Sequence, residues 1–203
     1  MTSLQQRFVS VVKSVSPSVV QIRTPQALGS GVVFDTRGDI VTNAHVVGGA
    51  ARFIVTLAAG DSHPARVVGV DAADDLAMIR LTGARPRPAT FADSAQVQVG
   101  DIALAIGNPL GLRSSVTQGI VSAIGRGVPE GDGVTLRSVI QTSAAINPGN
   151  SGGALADLSG RLIGIPTLAA LDPQMGASQA PGIGFAIDSN TVHRVGSSLI
   201  GSR

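Results

Sequence analysis

The 203-residue chain has no cysteine, no tryptophan and no tyrosine, and it carries a single lysine, Lys13, and a single glutamate, Glu130. Without cysteine there is neither a disulfide framework nor a thiolate metal site, so redox chemistry gives no information about compartment. The near-absence of Lys and Glu removes the residues that usually cover the wet faces of long helices. The net charge of +2 comes from scattered arginines. With no basic run and no Trp or Tyr, this balance argues against a nucleic-acid surface, and the high pI reflects arginine unaccompanied by lysine or tyrosine. No apolar run reaches the ~18 residues of a membrane span, and the first residues lack the charged-then-apolar layout of a signal peptide.

What the chain does have is 26 glycines and many short runs of Val, Ile and Thr between turn residues. That pattern predicts an all-β barrel or sandwich, in a chain long enough to bury roughly 70% of its unfolded surface. Leu4, Phe8, Val11, Val12 and Val15 recur at three-and-four spacing, predicting a short amphipathic helix over Ser3–Val15 that Pro17 ends. It could pack on the barrel or on another subunit. Strands are predicted at Ser18–Ile22, Gly31–Phe34, Asp39–Thr42, Arg52–Leu57, Ala65–Val70, Gly100–Gly107, Ser115–Ile124, Thr135–Gln141, Leu162–Thr167 and Ile183–Ile187. Gly29-Ser30-Gly31 marks a place where two backbones can pass closely. Loops are predicted at Asn108–Leu112, at a glycine-rich tip over Arg126–Gly133 and at Leu168–Gly182, the last being long enough to be a functional or disordered segment. A C-terminal helix over Asn190–Ile200 would be capped by Ser189 or Asn190. About a dozen strand signals with no internal repeat predict two packed antiparallel barrels.

The stretch with the clearest chemistry is Asn147-Pro148-Gly149-Asn150-Ser151-Gly152-Gly153. A serine that attacks a carbonyl needs a tight turn that leaves room for a substrate backbone, and flanking glycines supply it. The N–H groups of Gly149 and Ser151 could share one cavity, as an oxyanion hole requires. In so glycine-rich a chain, a flexible loop is the plain alternative. His45, where Thr42-Asn43-Ala44-His45-Val46-Val47 takes a strand into a small-residue corner, is a candidate base or a structural histidine. His63 and His193 read as structural or solvated. In Asp74-Asp75-Leu76-Ala77-Met78-Ile79, the aspartates are either a solvated turn or the source of a carboxylate that orients His45.

These segments, with Gln141-Thr142-Ser143-Ala144-Ala145-Ile146 running into the serine loop and Gly182-Ile183-Gly184-Phe185-Ala186-Ile187, resemble the HtrA (Deg) family of serine proteases. The resemblance implies a chymotrypsin-like double β-barrel with short terminal helices, an N-terminal barrel over about 18–90 and a C-terminal barrel over about 97–188. It implies Ser151 as nucleophile, His45 as general base then acid, and Asp75, directly before Leu-Ala, as the carboxylate that fixes the imidazole. Gly149, Asn150 and Ser151 would form the oxyanion hole. Ala145 and Ile146 at the base, with Ile165, Thr167, Leu168 and Ala169 alongside, would line a pocket for small or medium aliphatic residues. No cofactor and no metal is implied. The expected partners are unfolded polypeptides, and a homotrimer built through the N-terminal segment, where Phe8 is the main aromatic. An extracytoplasmic location is expected, and with no PDZ domain expected in this chain it would be either a protease domain excised from a longer chain that carries one or a naturally short member. A protein-binding or chaperone-like module with a resting site is the rival reading. Ser143 and Ala154 depart from the aspartate and proline common in the family. Asn150 replaces the aspartate that pairs with a freshly cut N-terminus in digestive relatives, so activation by ordering of the loops at Asn147–Asn150 and Leu168–Gly182 is expected rather than activation by cleavage.

Overall fold

The computed structural model of the chain describes residues 3–24, 28–108, 115–131, 134–147, 149–172 and 178–202. Helix α1 (Leu4–Val15) leads through a 3-10 turn into β1 (Val19–Arg23), β2 (Leu28–Val33), β3 (Asp39–Thr42), the single turn α2 (Ala44–Val47), β4 (Arg52–Thr56), β5 (Ser62–Asp71) and β6 (Leu76–Leu81). A connection then reaches β7 (Ile102–Gly107), β8 (Ser115–Gly131), β9 (Val134–Thr142), β10 (Ala154–Ala156), β11 (Leu162–Asp172), β12 (Ser178–Asp188) and α3 (Ser189–Gly201). The strands close into two antiparallel barrels, ordered β1-β2-β3-β6-β5-β4 and β10-β11-β12-β9-β8-β7. Closure pairs each described strand with a neighbour on both sides.

The apolar runs are continuous because both faces of the inner strands are covered. In β6, Ala77 and Ile79 fill the first barrel with Val20, Ile22 and Ile40, whereas Leu76 and Met78 point the other way. In β7, the small Ala103 and Ala105 fit inside the second barrel, and Leu104 and Ile106 face out of it. The outward residues of both barrels meet in one central cluster that also takes Val11 and Val15 of α1 and Val192 and Val195 of α3. Strand periodicity of two thus feeds three cores. Phe8 packs against the central cluster, so α1 spends its aromatic on its own barrels and leaves Leu4 and Val9 exposed. His193 of α3 lies beside Phe34 and Phe91, with ring centroids 5.2 and 6.0 Å away. His63 pairs with Asp61 at 2.5 Å.

Several expectations need correction. The glycine-rich stretch from Arg126 is strand as far as Gly131, because successive bulges against β9 absorb its glycines and Pro129. The long loop after Thr167 is in large part a hairpin: β11 runs to Asp172 and β12 starts at Ser178, pairing Leu171 with Gln179 and Asp172 with Ser178. The centre of that loop, residues 173–177, falls outside the described residues, as do residues 109–112 of the predicted Asn108–Leu112 loop. The short β10 gives no periodic signal in three residues. The cap of α3 is Asp188 rather than Ser189 or Asn190, since its carboxylate accepts the N–H groups of Asn190 and Thr191, each at 3.1 Å. An aspartate also suits the positive end of the helix dipole.

One cross-strand pair ties β3 to β6. Asp39 is fully buried and accepts Nε and Nη2 of its register partner Arg80 at 2.6 and 2.8 Å. Asp39→Ala should cost roughly 2–3 kcal/mol, below the 3–5 of a fully buried pair because Arg80 keeps partial solvent contact, while Arg37→Ala on the exposed rim should stay within about 1 kcal/mol. Urea denaturation of the two variants measures the difference.

Candidate active site

The site begins where β3 ends. Asn43 precedes α2, whose single turn is closed by Gly48, and places His45 at the barrel surface with its side chain 45% exposed. The β5–β6 turn comes to meet it. The Asp75 carbonyl accepts the Ala44 N–H and the Asn43 side-chain amide, both at 3.1 Å. The Asp75 carboxylate accepts the His45 main-chain N–H at 3.0 Å, and its Oδ2 lies 2.9 Å from His45 Nδ1. Asp75 is the one non-glycine residue with positive φ (45°) among the described residues. That conformation is unfavourable for an aspartate and survives because so many bonds hold the turn to α2. Its neighbour Asp74 turns outward to Arg194 at 3.1 Å.

Thr167 supplies the next contact. The β11–β12 register slips between Pro166 and Leu168, so Thr167 is the extra residue of a bulge. Bulges re-aim side chains, and here the Thr167 hydroxyl donates to Asp75 Oδ2 at 2.5 Å. The Thr167 carbonyl accepts the Ser151 hydroxyl at 3.2 Å. A continuous chain of contacts therefore joins Ser151, Thr167, Asp75 and His45 across the two barrels. Burial pushes the Asp75 carboxyl up, but the hydrogen bond and charge of His45 and the Thr167 hydroxyl outweigh it, holding the group below its ordinary value of 3.8.

The serine loop is fixed at nearly every peptide. The Asn150 N–H donates to the Asn147 carbonyl at 3.1 Å, the Gly153 N–H to the Asn150 carbonyl at 2.9 Å and the Gly152 N–H to the Pro166 carbonyl at 2.9 Å. The Asn150 side chain closes the loop from within, accepting the Asn147 N–H at 3.1 Å and donating to the Ala145 carbonyl at 3.0 Å. Gly152 has φ 79°, and a Cβ there would fall 2.2 Å from the Ser30 carbonyl oxygen and 2.4 Å from Thr42 Oγ1, so only glycine lets the loop seat on the first barrel. Among the described residues, the N–H groups of Gly149 and Ser151 have no hydrogen-bond partner.

The proposed pocket divides. Ala145 is exposed, and Ile146 is nearly buried against Gly184, where an added Cβ would lie 2.4 Å from its Cγ1. Ile165 is fully buried in the central cluster and the Thr167 hydroxyl faces Asp75, so neither side chain lines an open pocket, because strand alternation and the bulge turn them to the interface. The side chains of Leu168 and Ala169 fall outside the described residues, as does Pro148. Sequence reasoning missed the Thr167–Asp75 bond, which no local pattern announces. It also stopped short of Ser30, although Gly29-Ser30-Gly31 did mark a close backbone approach. Among the described residues, no cluster of three metal-ligating side chains occurs.

Comparison with known proteins gives a consistent picture. Residues 29–165 match the family model described as a trypsin-like peptidase domain. The chain is 46% identical over 83% of its length to a probable periplasmic serine protease do/HhoA-like of Haemophilus influenzae, of which it covers 35%. It is 47% identical over 86% of its length to the periplasmic serine endoprotease DegP of Escherichia coli K12, of which it covers 36%. Among solved structures, the HtrA-type protease AlgW with a tripeptide superposes with a TM-score of 0.84 at 41% identity, over 96% of this chain and 64% of that one. The chain thus spans little more than a third of the length of these two curated relatives.

The Asp75 arrangement has a measurable consequence for acid stability. A carboxylate whose folded pKa lies below its unfolded value stabilises the fold above the unfolded value, and that contribution is lost as pH falls through the folded value. The melting temperature of wild type should therefore fall more between about pH 5 and pH 3 than that of Asp75→Asn, as scanning calorimetry at a series of pH values would record. Parallel pH profiles would contradict the assignment.

Proposed function

This chain belongs to the trypsin-like peptidase family and carries the motifs of its HtrA (Deg) members, and from that premise we propose that it is a serine endopeptidase acting on unfolded or damaged polypeptides. The observation that carries the reading is the buried Asp75 carboxylate against His45 Nδ1 at 2.9 Å, linked through Thr167 to Ser151. With Nδ1–H donated to Asp75, His45 presents Nε2 as a base. Ser151 Oγ turns from the Thr167 carbonyl, gives its proton to Nε2 and attacks the scissile carbonyl. The N–H groups of Gly149 and Ser151, set by the Asn150 turn, receive the developing oxyanion, and His45 returns the proton to the leaving amine. Water then repeats the sequence on the acyl-enzyme. Asp75 orients the imidazole and stabilises its charged form, and Thr167 holds the carboxylate.

Ala145 and Ile146 offer the incoming side chain only methyl and methylene groups. A charged side chain buried there without a partner costs several kcal/mol, while an aliphatic one gains roughly 1.5–3 kcal/mol on full burial. Small or medium aliphatic residues before the cut are the fitting substrates, with Leu168 and Ala169 as the proposed side wall. The relatives named periplasmic support an extracytoplasmic setting for this chain. Among the described residues, no helix is long and apolar enough to cross a membrane. The exposed Leu4 and Val9 of α1 are the surface through which a homotrimer would form. The resting contact of Ser151 with the Thr167 carbonyl favours one second reading, a protein-binding module whose protease site is switched off. Turnover of casein by the purified chain excludes it.

Ser151→Ala should abolish casein cleavage with little change in melting temperature. Asp75→Asn should lower kcat by roughly 10⁴, as expected of that change in a Ser-His-Asp triad, whereas Asp74→Asn, on an exposed ion pair, should change it less than about two-fold. Equal losses at the two aspartates would overturn the assignment. Mass spectrometry of casein fragments should find cuts after Val, Ala, Ile or Leu, and Ile146→Ala should shift them towards larger side chains. Cuts mainly after Lys, Arg, Asp or Glu would contradict the pocket.

A further inference from the structure

Ser30 is fully buried in β2, between the barrels, and has no place in the chemistry above. Beyond its pairing with Gln21 in the sheet, its hydrogen bonds among the described residues reach the serine loop and the ends of the strands beside it. The Ser30 main-chain N–H donates to the Ser151 carbonyl at 3.0 Å. Its hydroxyl donates to the Gly149 carbonyl at 2.5 Å and accepts the Asn108 N–H at 2.8 Å, and its carbonyl accepts the Thr42 hydroxyl at 2.7 Å. A serine hydroxyl has one proton and is free to rotate. Here the Asn108 N–H occupies an acceptor position, which commits the proton to Gly149.

Gly149 and Ser151 are the residues whose N–H groups the peptidase reading assigns to the oxyanion. Ser30 grips the carbonyl of each, one through its side chain and one through its backbone. Because a peptide unit is planar, holding the Gly149 and Ser151 carbonyls sets the planes on either side of the Asn150–Ser151 peptide. That middle plane is held by the Gly153 N–H on the Asn150 carbonyl, which directs the Ser151 N–H to the opposite side. Gly149, at φ 104°, has no side chain to limit its own rotation, so its restraint has to come from outside. We infer that Ser30 is a positioning residue for the oxyanion hole: its hydroxyl, from the first barrel, fixes the Gly149–Asn150 peptide, which lies between the two peptides that carry the Gly149 and Ser151 donors. The inference rests on the peptidase reading.

Donors that are merely loosened are missed most where charge develops, so the loss should fall on kcat rather than on substrate binding. The test uses a fluorogenic peptide with Val before the scissile bond, a matching peptide boronate, and the product peptide. Ser30→Ala should lower kcat by about 10–100-fold, less than the 10²–10³ that follows removal of a donor outright, with KM within about two-fold. Boronate affinity should fall with kcat, and product affinity should not. Ser30→Cys, close in shape but a weaker donor, should fall between Ala and wild type. Ser189→Ala removes another buried hydroxyl, which donates to the Ala92 carbonyl at 2.8 Å, and should lower the melting temperature with kcat unchanged.

A Ser30→Ala chain with kcat within two-fold of wild type, or one that loses product affinity as steeply as boronate affinity, overturns the inference. Should Ser30→Ala fail to fold, Ser30→Cys decides alone, and an unaltered kcat sinks the idea. A wild-type chain that cleaves neither this peptide nor casein overturns the peptidase reading itself, before any Ser30 variant is made.

Discussion

The site depends on keeping the Asp75 carboxylate ionised with almost all of its surface out of water. Burial alone pushes its pKa up, and a neutral acid would not charge-stabilise His45. Two N–H groups of one residue, His45, and one hydroxyl from Thr167 offset the desolvation. These donors come from separate parts of the chain, the first on α2 and the second on a bulge of β11, so the carboxylate is secured only when both barrels are folded and docked. The positive φ of Asp75 belongs to the same arrangement, since the turn that aims its carboxylate also presents its carbonyl to Ala44 and Asn43.

The docking has an apolar and a polar part. The central cluster of Val, Leu and Ile side chains supplies the area that holds the barrels together, without direction. Direction comes from polar clamps at one end: Thr167 on Asp75, Ser30 on the serine loop, and the seat that glycine at 152 leaves over Ser30 and Thr42. A lateral slip of one barrel over the other would change the apolar contacts little. It would strip the Gly149 carbonyl and the Asn108 N–H of their Ser30 partner and the Asp75 carboxylate of the Thr167 hydroxyl, which is costly enough to fix a single arrangement. The geometry of the site and the register of the domain interface are thus set by the same few hydrogen bonds.

How much of this could be read from the chain follows from what each feature depends on. The alternating and continuous apolar runs predict strands because burial has a period of two, and the all-β, two-barrel architecture follows. Ser151, His45 and Asp75 stand out because each carries reactive chemistry at a turn or strand end with small or apolar neighbours. The choice between Asp74 and Asp75 came from the family motif, since the residues alone left both open; the structure turns Asp74 to Arg194 and Asp75 to His45. Features that depend on pairing register were not legible. The bulge that delivers Thr167 to Asp75, the strand character of Arg126–Gly131 and the burial of Ile165 follow from which residues lie opposite one another, and composition does not encode that. Asp188 lies between the predicted strand Ile183–Ile187 and the caps expected at Ser189 or Asn190, and which of three consecutive capping residues begins the helix depends on backbone conformation.

The most direct test of the account is the rate at which a serine-reactive phosphonate labels the chain as a function of pH, with the adduct located by mass spectrometry. That measurement needs no knowledge of the natural substrate, and it reports nucleophile and base together. The account predicts one adduct, on Ser151, whose formation rises with pH through a single ionisation and is lost in His45→Ala. An adduct on another serine, or a labelling rate that is flat with pH and indifferent to His45, would contradict it.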